Sequence, residues 1–387
     1  MSAFKKGLLF THRWLGFISG LVVFIVSITG CLFCFQDEIQ DALHNYRHVA
    51  VQNKPVAKPS VLQQQALKRL PKGTVSAVAY LGADRPAQIG VTDKAGYHSV
   101  FLNPYTGAFL HEELMQSNFF IVVEFIHLYL LLPPDIGKVV VGVCVLIFVA
   151  LMITGIILWW PKRKTDRKRS FTIKWNGRWR RVNYDLHNVL GFYATGIALI
   201  LAITGLSMSF KWVEQGIYKA GNLGRHYARE AQMEDLKSDS LQKGAKPAQP
   251  LYDHIYNVTA KNSPGANMYV IYEEAGAAGT VRGIAYAKSL HYTTNDFYVF
   301  DKHTGKLIYQ LLDNEKSVGL KLNNANYDIH VGQIAGLTGK IIAFLASLIC
   351  ASLPITGFII WYGKRNKKKP VKRLRHRALS TTQKFTA

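Results

Sequence analysis

The sequence predicts a membrane protein of the all-α class: a four-helix bundle of two parallel repeats, two spans each, with two α+β modules on one side. Three observations predict it. Segments 14–35, 139–160, 189–210 and 341–362 are almost free of charge, and each has the ~20 residues that cross a hydrocarbon core ~30 Å thick. Basic residues crowd into three short stretches. Histidines and Thr-Gly pairs recur at matched places in two halves of the chain.

Residues 1–36 hold the N-terminus and first span. The span is too long for a signal-peptide apolar region and has no small-residue cleavage site after it, so it reads as a retained anchor. Residues 37–116 form the first outer module, with an amphipathic helix at 59–70 and strands at 75–81, 87–92 and 98–102. It ends in the turn Asn103-Pro104-Tyr105-Thr106-Gly107. Residues 117–160 carry an outer interfacial segment, a break at 133–138 and the second span. Residues 161–186 are a basic loop, and 187–210 the third span.

The second outer module, 211–325, repeats the first. It has a helix at 251–261, strands at 268–273, 283–287 and 296–300, and the turn Asp301-Lys302-His303-Thr304-Gly305. Asn or Asp opening a turn that Gly closes is ordinary turn chemistry. Its stretch 230–250 is polar and reads as a flexible linker. Residues 326–362 bring a second interfacial segment, a break at 336–340 and the fourth span, and 363–387 a basic tail.

Charge sets the orientation. Lys and Arg number 3 in residues 1–13, 10 in 161–183 and 10 after Trp361, against the single acid Asp166. By the positive-inside rule these stretches, with both termini, are cytoplasmic, and the modules lie outside. The same distribution makes lipid headgroups, not nucleic acid, the partner of the basic segments. All four cysteines, Cys31, Cys34, Cys144 and Cys350, lie in apolar spans, so the outer modules use no disulfides. Cys31 and Cys34 make a C-x-x-C, read as small apolar residues on a helix, with a redox pair as the other reading. Phe35 follows where covalent haem attachment needs histidine.

Ionisable groups at membrane depth are costly and usually functional. His12 precedes Thr29-Gly30 by 17 residues, and His187 precedes Thr204-Gly205 by the same 17. His127 precedes Thr154-Gly155 by 27, and His330 precedes Thr356-Gly357 by 26. A lone histidine near a helix end is more often an interfacial polar residue than a ligand, but four at repeat-related positions suit two bis-histidine haem irons, one near each face. His12 and His187 would clamp the inner iron, and His127 and His330 the outer. Gly16, Gly20, Gly191 and Gly196 would let a porphyrin approach the backbone. Arg13 would pair with a propionate, or anchor the helix to the cytoplasmic face. His44, His48, His98, His111, His226, His254, His291, His303 and His376 have no repeat-matched partner. No Gly-rich nucleotide loop, carboxylate pair or nucleophile elbow is present.

The repeat extends to His12-Arg13-Trp14-Leu15-Gly16 against His187-Asn188-Val189-Leu190-Gly191. It also covers Thr154-Gly155 to Trp159-Trp160 against Thr356-Gly357 to Trp361-Tyr362. With the Asn/Asp-x-x-Thr-Gly turns, these motifs resemble the PepSY-associated transmembrane family over nearly the whole chain. Members with four spans and two outer modules are similar to iron-regulated inner-membrane reductases of Gram-negative bacteria. The resemblance implies periplasmic PepSY-like modules and reduction of a ferric siderophore, of the ferrioxamine-like hydroxamate kind, with release of Fe(II). Siderophores are hard oxygen chelators that suit Fe(III), whereas Fe(II) leaves more readily.

Tyr97, Tyr105, His291, Tyr292 and Phe297 are candidates for the docking surface. The short inner loop and tail hold no flavin or nicotinamide domain, so the donor is separate: a soluble reductase, reduced flavin or a membrane quinol. A homodimer stays open. Two rivals remain: a haem-free accessory protein of a transporter or protease, and a siderophore or metal transporter.

Overall fold

The computed structural model describes residues 2–161, 163–239, 249–276 and 278–365. The basic tail beyond Arg365 and the middle of the expected linker, 240–248, lie outside the described residues. Four helices are long and apolar enough to cross a membrane: Ala3–Cys34, Pro134–Trp159, Trp179–Ser209 and Gln333–Arg365.

The first half comprises α1 (Ala3–Cys34), α2 (Gln36–Leu43), α3 (Pro59–Arg69), strands β1 (Thr74–Tyr80), β2 (Ala87–Thr92), β3 (Tyr97–Leu102) and β4 (Phe109–Leu114), then α4 (Phe119–Tyr129) and α5 (Pro134–Trp159). After the short α6 (Arg167–Ser170), the third span is α7 (Trp179–Asp185), a π-helical turn Leu186–Leu190, and α8 (Gly191–Ser209). Next come α9 (Lys211–Gly221), α10 (Ala228–Ala231), α11 (Leu251–Asn262), and strands β5 (Met268–Glu273), β6 (Thr280–Tyr286), β7 (Asn295–Asp301) and β8 (Leu307–Leu311). The chain closes with α12 (Val318–His330) and α13 (Gly336–Arg365).

Each span outruns its charge-free stretch, because helix continues into the flanking interfacial residues. α1 starts at Ala3, where the Ser2 side chain accepts from the Lys5 N–H at 3.4 Å, so His12 lies inside the helix. α1 and α8 each pack against both α5 and α13.

The breaks before the second and fourth spans sit earlier than expected. Pro133 caps α5, and residues 134–138 and 336–340 open α5 and α13. The turns themselves are Leu130 and Leu131, both with positive φ, and Gly332 with φ 81°. Pro134 cannot supply the N–H that would continue α4, but it suits a first helical position. Gly137 and Gly339 then let each span fold back tightly. A Cβ on Gly137 would lie 2.3 Å from the Tyr129 carbonyl oxygen, and one on Gly339 2.1 Å from that of Gly332.

The outer modules are not two separate domains. Their strands form one antiparallel sheet of order β4-β3-β2-β1-β5-β6-β7-β8. β1 joins β5 with Ala77 opposite Tyr272 and Tyr80 opposite Tyr269. Apart, each module would leave this apolar strand as an unpaired edge, which soluble sheets avoid. α3 and α11 cover one face of the sheet, burying Leu62, Ala66 and Ile255 against Val78, Ile89 and Phe300. The Ser60 N–H and hydroxyl bind the two Asp253 carboxylate oxygens at 2.7 Å each, tying α3 to α11. The two turns form as expected. Asn103 accepts from the Tyr105 and Thr106 N–H groups, and Asp301 from those of His303 and Thr304.

Three expectations are corrected. The edge strands β4 and β8 were not foreseen. The segment 230–239 is docked and is not a free linker. Glu230 accepts from the Tyr218 hydroxyl at 2.6 Å and the Ser317 N–H at 2.6 Å, and Asp301 accepts from the Asp239 N–H at 2.7 Å. Tyr105 and Phe297 are buried, so neither can form a docking surface. Tyr105 gives its hydroxyl to the Ala83 carbonyl, and Phe297 lies under the Arg282 guanidinium.

Leu62 is fully buried in the sheet core. Leu62→Ala should cost about 2–5 kcal/mol of local stability, read as faster amide exchange across β1 and β5 in the intact chain. Unchanged protection there would mean that α3 does not stabilise the joined sheet.

Candidate cofactor site

Each of the four repeat-matched histidines is gripped by a threonine on another helix. His12 of α1 holds Thr154 of α5, with Nδ1 to Oγ1 at 2.8 Å. His127 of α4 holds Thr29 of α1 at 3.1 Å. His187, in the π-helical turn, holds Thr356 of α13 at 2.9 Å, and His330 of α12 holds Thr204 of α8 at 2.9 Å. A π turn inside a long helix often marks a functional position.

The direction of these bonds follows from the threonines. Every one of the four hydroxyls already donates within its own helix: Thr29 to Ile25, Thr154 to Ala150, Thr204 to Ile200 and Thr356 to Ser352, at 2.8–2.9 Å. Each oxygen must therefore accept from the histidine Nδ1–H. His127 Nδ1 also lies 3.0 Å from the Val26 carbonyl, which can only accept. The proton is thus on Nδ1 in all four rings, leaving Nε2 with an unshared lone pair, the form in which imidazole binds metals. In the outer pair, burial pushes His330 down to about 4 and His127 below its ordinary value. Both stay neutral near pH 7.

Glycines make room for the rings. A Cβ on Gly30, Gly155, Gly205 or Gly357 would meet the Cε1 of His127, His12, His330 or His187 at 3.3, 3.5, 3.2 and 3.2 Å. The Thr-Gly pair is therefore one device, with an acceptor followed by a gap. In the second half, asparagines one turn before each histidine add a second tie. Asn183 donates to the Thr356 carbonyl at 3.1 Å, and Asn326 to that of Thr204 at 3.0 Å.

The histidines also meet in pairs. The rings of His127 and His330 have centroids 6.1 Å apart and planes 69° apart. Two imidazoles ligating one ion from opposite sides, with bonds of about 2 Å, place their centroids roughly 6 Å apart. His12 and His187 are near enough to interact electrostatically. A cavity of about 300 Å³ opens beside the outer pair, walled largely by apolar side chains such as Val26, Phe33, Phe148 and Leu201. Its other ionisable lining residues include Glu124, Tyr129, Lys138 and Tyr327.

These residues fit a bis-imidazole iron group. The donor set is two neutral nitrogens per pair, the rings are fixed from behind, and the walls are apolar. Arg13 adds an orphaned polar atom, because its Nε is buried without a hydrogen-bond partner. That donor suits an acidic group that the protein itself does not supply. Of the glycines first read as porphyrin contacts, Gly16 and Gly196 face open space. Gly20 and Gly191 pack on Pro354 and Leu353, so they serve helix packing.

The helix carrying His330 is locked to the sheet. Asp328 is fully buried and accepts from the Tyr292 and Thr293 N–H groups, the Thr293 hydroxyl and Gln333. The loop between β6 and β7 thus presses on α12 two residues before the histidine. The Tyr292 ring stands edge-on to Tyr327 at 5.3 Å.

Residues 9–364 match the family model of the PepSY-associated TM region. The chain belongs to that family. It is a membrane protein by this match and by its four apolar helices. Comparison with curated proteins gave no match.

Spacing in the sequence displayed the four histidines but missed their partners. The signal was present, since four Thr-Gly pairs accompany four histidines. Linear spacing set Thr29 beside His12, whereas in space it serves His127. Glu124, Asp328, Asn183 and Asn326 carried no repeat signature at all.

Asp328→Ala should leave the Tyr292 and Thr293 groups without an acceptor, at about 1–3 kcal/mol. Amide exchange at Tyr292 and Thr293 should accelerate about tenfold or more, 1.4 kcal/mol being a factor of ten. Exchange at the wild-type rate would show that the loop is held by other contacts.

Proposed function

We propose that the chain is a di-haem reductase of the bacterial inner membrane. In this reading it moves electrons from the cytoplasmic side to the periplasm, reduces a ferric siderophore there and releases Fe(II). The observation that carries the reading is the set of four imidazoles, each held through Nδ1 by a threonine so that Nε2 stays free. His12 and His187 would hold one b-type haem, and His127 and His330 the other. When bound, such a group supplies one-electron transfer without an open coordination position.

What this chain's own residues do is positional. The threonines fix tautomer and ring direction, the neighbouring glycines clear space, and the apolar walls exclude water. Arg13 offers its unpaired donor to a propionate. The two halves are arranged as a parallel repeat about an axis along the membrane normal, in keeping with the mirrored strand order and the matching His–Thr clamps. The basic segments orient the chain with the sheet in the periplasm. Family resemblance and the preference of hydroxamate oxygens for Fe(III) support the siderophore assignment. Tyr97, His291 and Tyr292 remain as candidate contacts, and the electron donor is a separate flavin, reductase or quinol.

The purified protein should contain about two non-covalent haems per chain, removable by acid-acetone. His12→Ala and His187→Ala should affect one and the same low-spin signal, and His127→Ala and His330→Ala the other. A colourless protein from haem-sufficient cells would overturn the reading. So would His12→Ala and His127→Ala abolishing one shared signal.

Loss of an outer-shell partner typically weakens binding of the ligated group 10–100-fold. Thr204→Val should therefore lower occupancy of the His127/His330 site by about that factor in haem titration. The other site should fill normally.

Reduced protein in liposomes should be re-oxidised by an impermeant ferric hydroxamate only when the sheet faces the added complex. Re-oxidation by a quinone but not by ferric hydroxamates would reassign the acceptor.

A further inference from the structure

Among the positions where the two halves differ around the cavity, one bears an ionisable pair. One turn before His127 stands Glu124, and at the matching place before His330 stands Tyr327. Both line the cavity of the outer pair, and the two side chains interact electrostatically. The Tyr327 hydroxyl oxygen accepts from Gln36 at 3.4 Å, which leaves its own proton free to turn elsewhere.

Glu124 differs from the buried and half-buried acids that are paired within the fold. Asp328 and Glu230 are each bound by several donors. Asp41 is bracketed by Arg47 and Arg85. Glu124 is half-buried at the cavity wall and has no hydrogen bond or ion pair among the described residues. Burial raises its carboxyl above the ordinary value. The titratable groups sharing its cavity are Tyr129 and His127 from α4, Cys34 from α1, Lys138 and Cys144 from α5, Tyr327 and His330 from α12, and Cys350 from α13. An unpaired acid in an apolar wall is free to change protonation state in response to a nearby charge, because little else compensates it.

On the basis of the di-haem reading, we propose that Glu124 is the proton-accepting group of the outer histidine pair, taking up one proton from the periplasmic side when that site gains an electron and returning it when the electron leaves. The balance is one electron and one proton in, with a carboxylate becoming a carboxylic acid, and the reverse on oxidation. Added negative charge at the site makes ionised Glu124 less favourable. By linkage, protonated Glu124 makes the electron easier to accept. The outer potential then falls as pH rises between the acid's pKa in the oxidised protein and its higher pKa in the reduced protein. It is flat on either side of that window. Such coupling keeps net charge in the apolar cavity constant through the redox cycle, where uncompensated charge is most costly.

The test is a spectroelectrochemical titration of the purified, haem-loaded full chain from pH 5 to pH 9. One of the two midpoint potentials should fall by up to ~59 mV per pH unit, the tenfold-per-unit value for one electron. Glu124→Gln should make that potential independent of pH and leave the second unchanged. Glu124→Asp, which keeps the carboxyl, should restore the slope and guards against a merely structural loss. If the wild-type potentials are both flat, or if Glu124→Gln retains the slope, the inference is wrong while the di-haem reading stands. If the chain binds no haem, that reading fails and takes the inference with it.

Discussion

The hydrogen bond from a histidine Nδ1–H to a threonine hydroxyl on another helix is the constraint on which the membrane half of this protein depends. In hydrocarbon an unsatisfied polar group is expensive, so an imidazole and a threonine placed there must find each other. Each threonine has already given its proton to its own helix, and this fixes it as an acceptor. One interaction therefore docks two helices, sets their axial register and chooses the tautomer. The glycine that follows each threonine belongs to the same constraint, since a methyl group there would lie 3.2–3.5 Å from the ring. Any change in helix register would break the bond and close the gap together.

The sheet imposes the matching constraint outside. Because β1 pairs with β5, the two modules cannot move as separate bodies, and the spans that frame them are held at a common spacing. Two further ties transmit this to the bundle. Asp328 fastens the β6–β7 loop to α12, and Lys340 at the start of α13 binds Glu38 of α2 at 2.8 Å. Lys340 is buried, whereas Glu38 is exposed, so the pair reaches from the fold to its surface. Cys34 approaches the Val331 and Lys340 carbonyls with its thiol. The C-x-x-C sits where α1 meets α2, and all four cysteines are buried and free.

What could be read from the sequence divides along the line between local and non-local causes. Spans are a local property of charge and length, and all four were legible. Their ends were not, since helix continues into residues that composition alone cannot assign. The turns at Asn103 and Asp301 were legible because their side chains act on backbone two or three residues away. β4 and β8 were not, because half-exposed edge strands of mixed character gain their order from the neighbour they pair with. The β1–β5 junction joins residues from opposite halves and has no local signature. The histidines stood out through repetition. Their clamps were hidden because space pairs Thr29 with His127 and Thr154 with His12, the reverse of what linear spacing suggests. Tyr105 and Phe297 were plausible as surface aromatics until the strands around them were placed.

The duplication explains which features can vary. Each half must keep two histidines, two threonines and two glycines, because its clamps hold the helices together and leave Nε2 open. Positions around that set differ between the halves. The first half carries Arg13, whose buried Nε has no hydrogen-bond partner, and Glu124, which has no hydrogen bond or ion pair among the described residues. At the corresponding places the second half has Asn188, which donates to the Tyr184 carbonyl at 2.6 Å, and Tyr327, which is tied to Gln36. It also supplies Asn183 and Asn326, whose bonds stiffen the threonine carbonyls. The side-chain ties behind the histidines are thus more numerous in the second half. Each histidine pair therefore joins one ring on a helix tied by an asparagine to one ring on a helix without that tie.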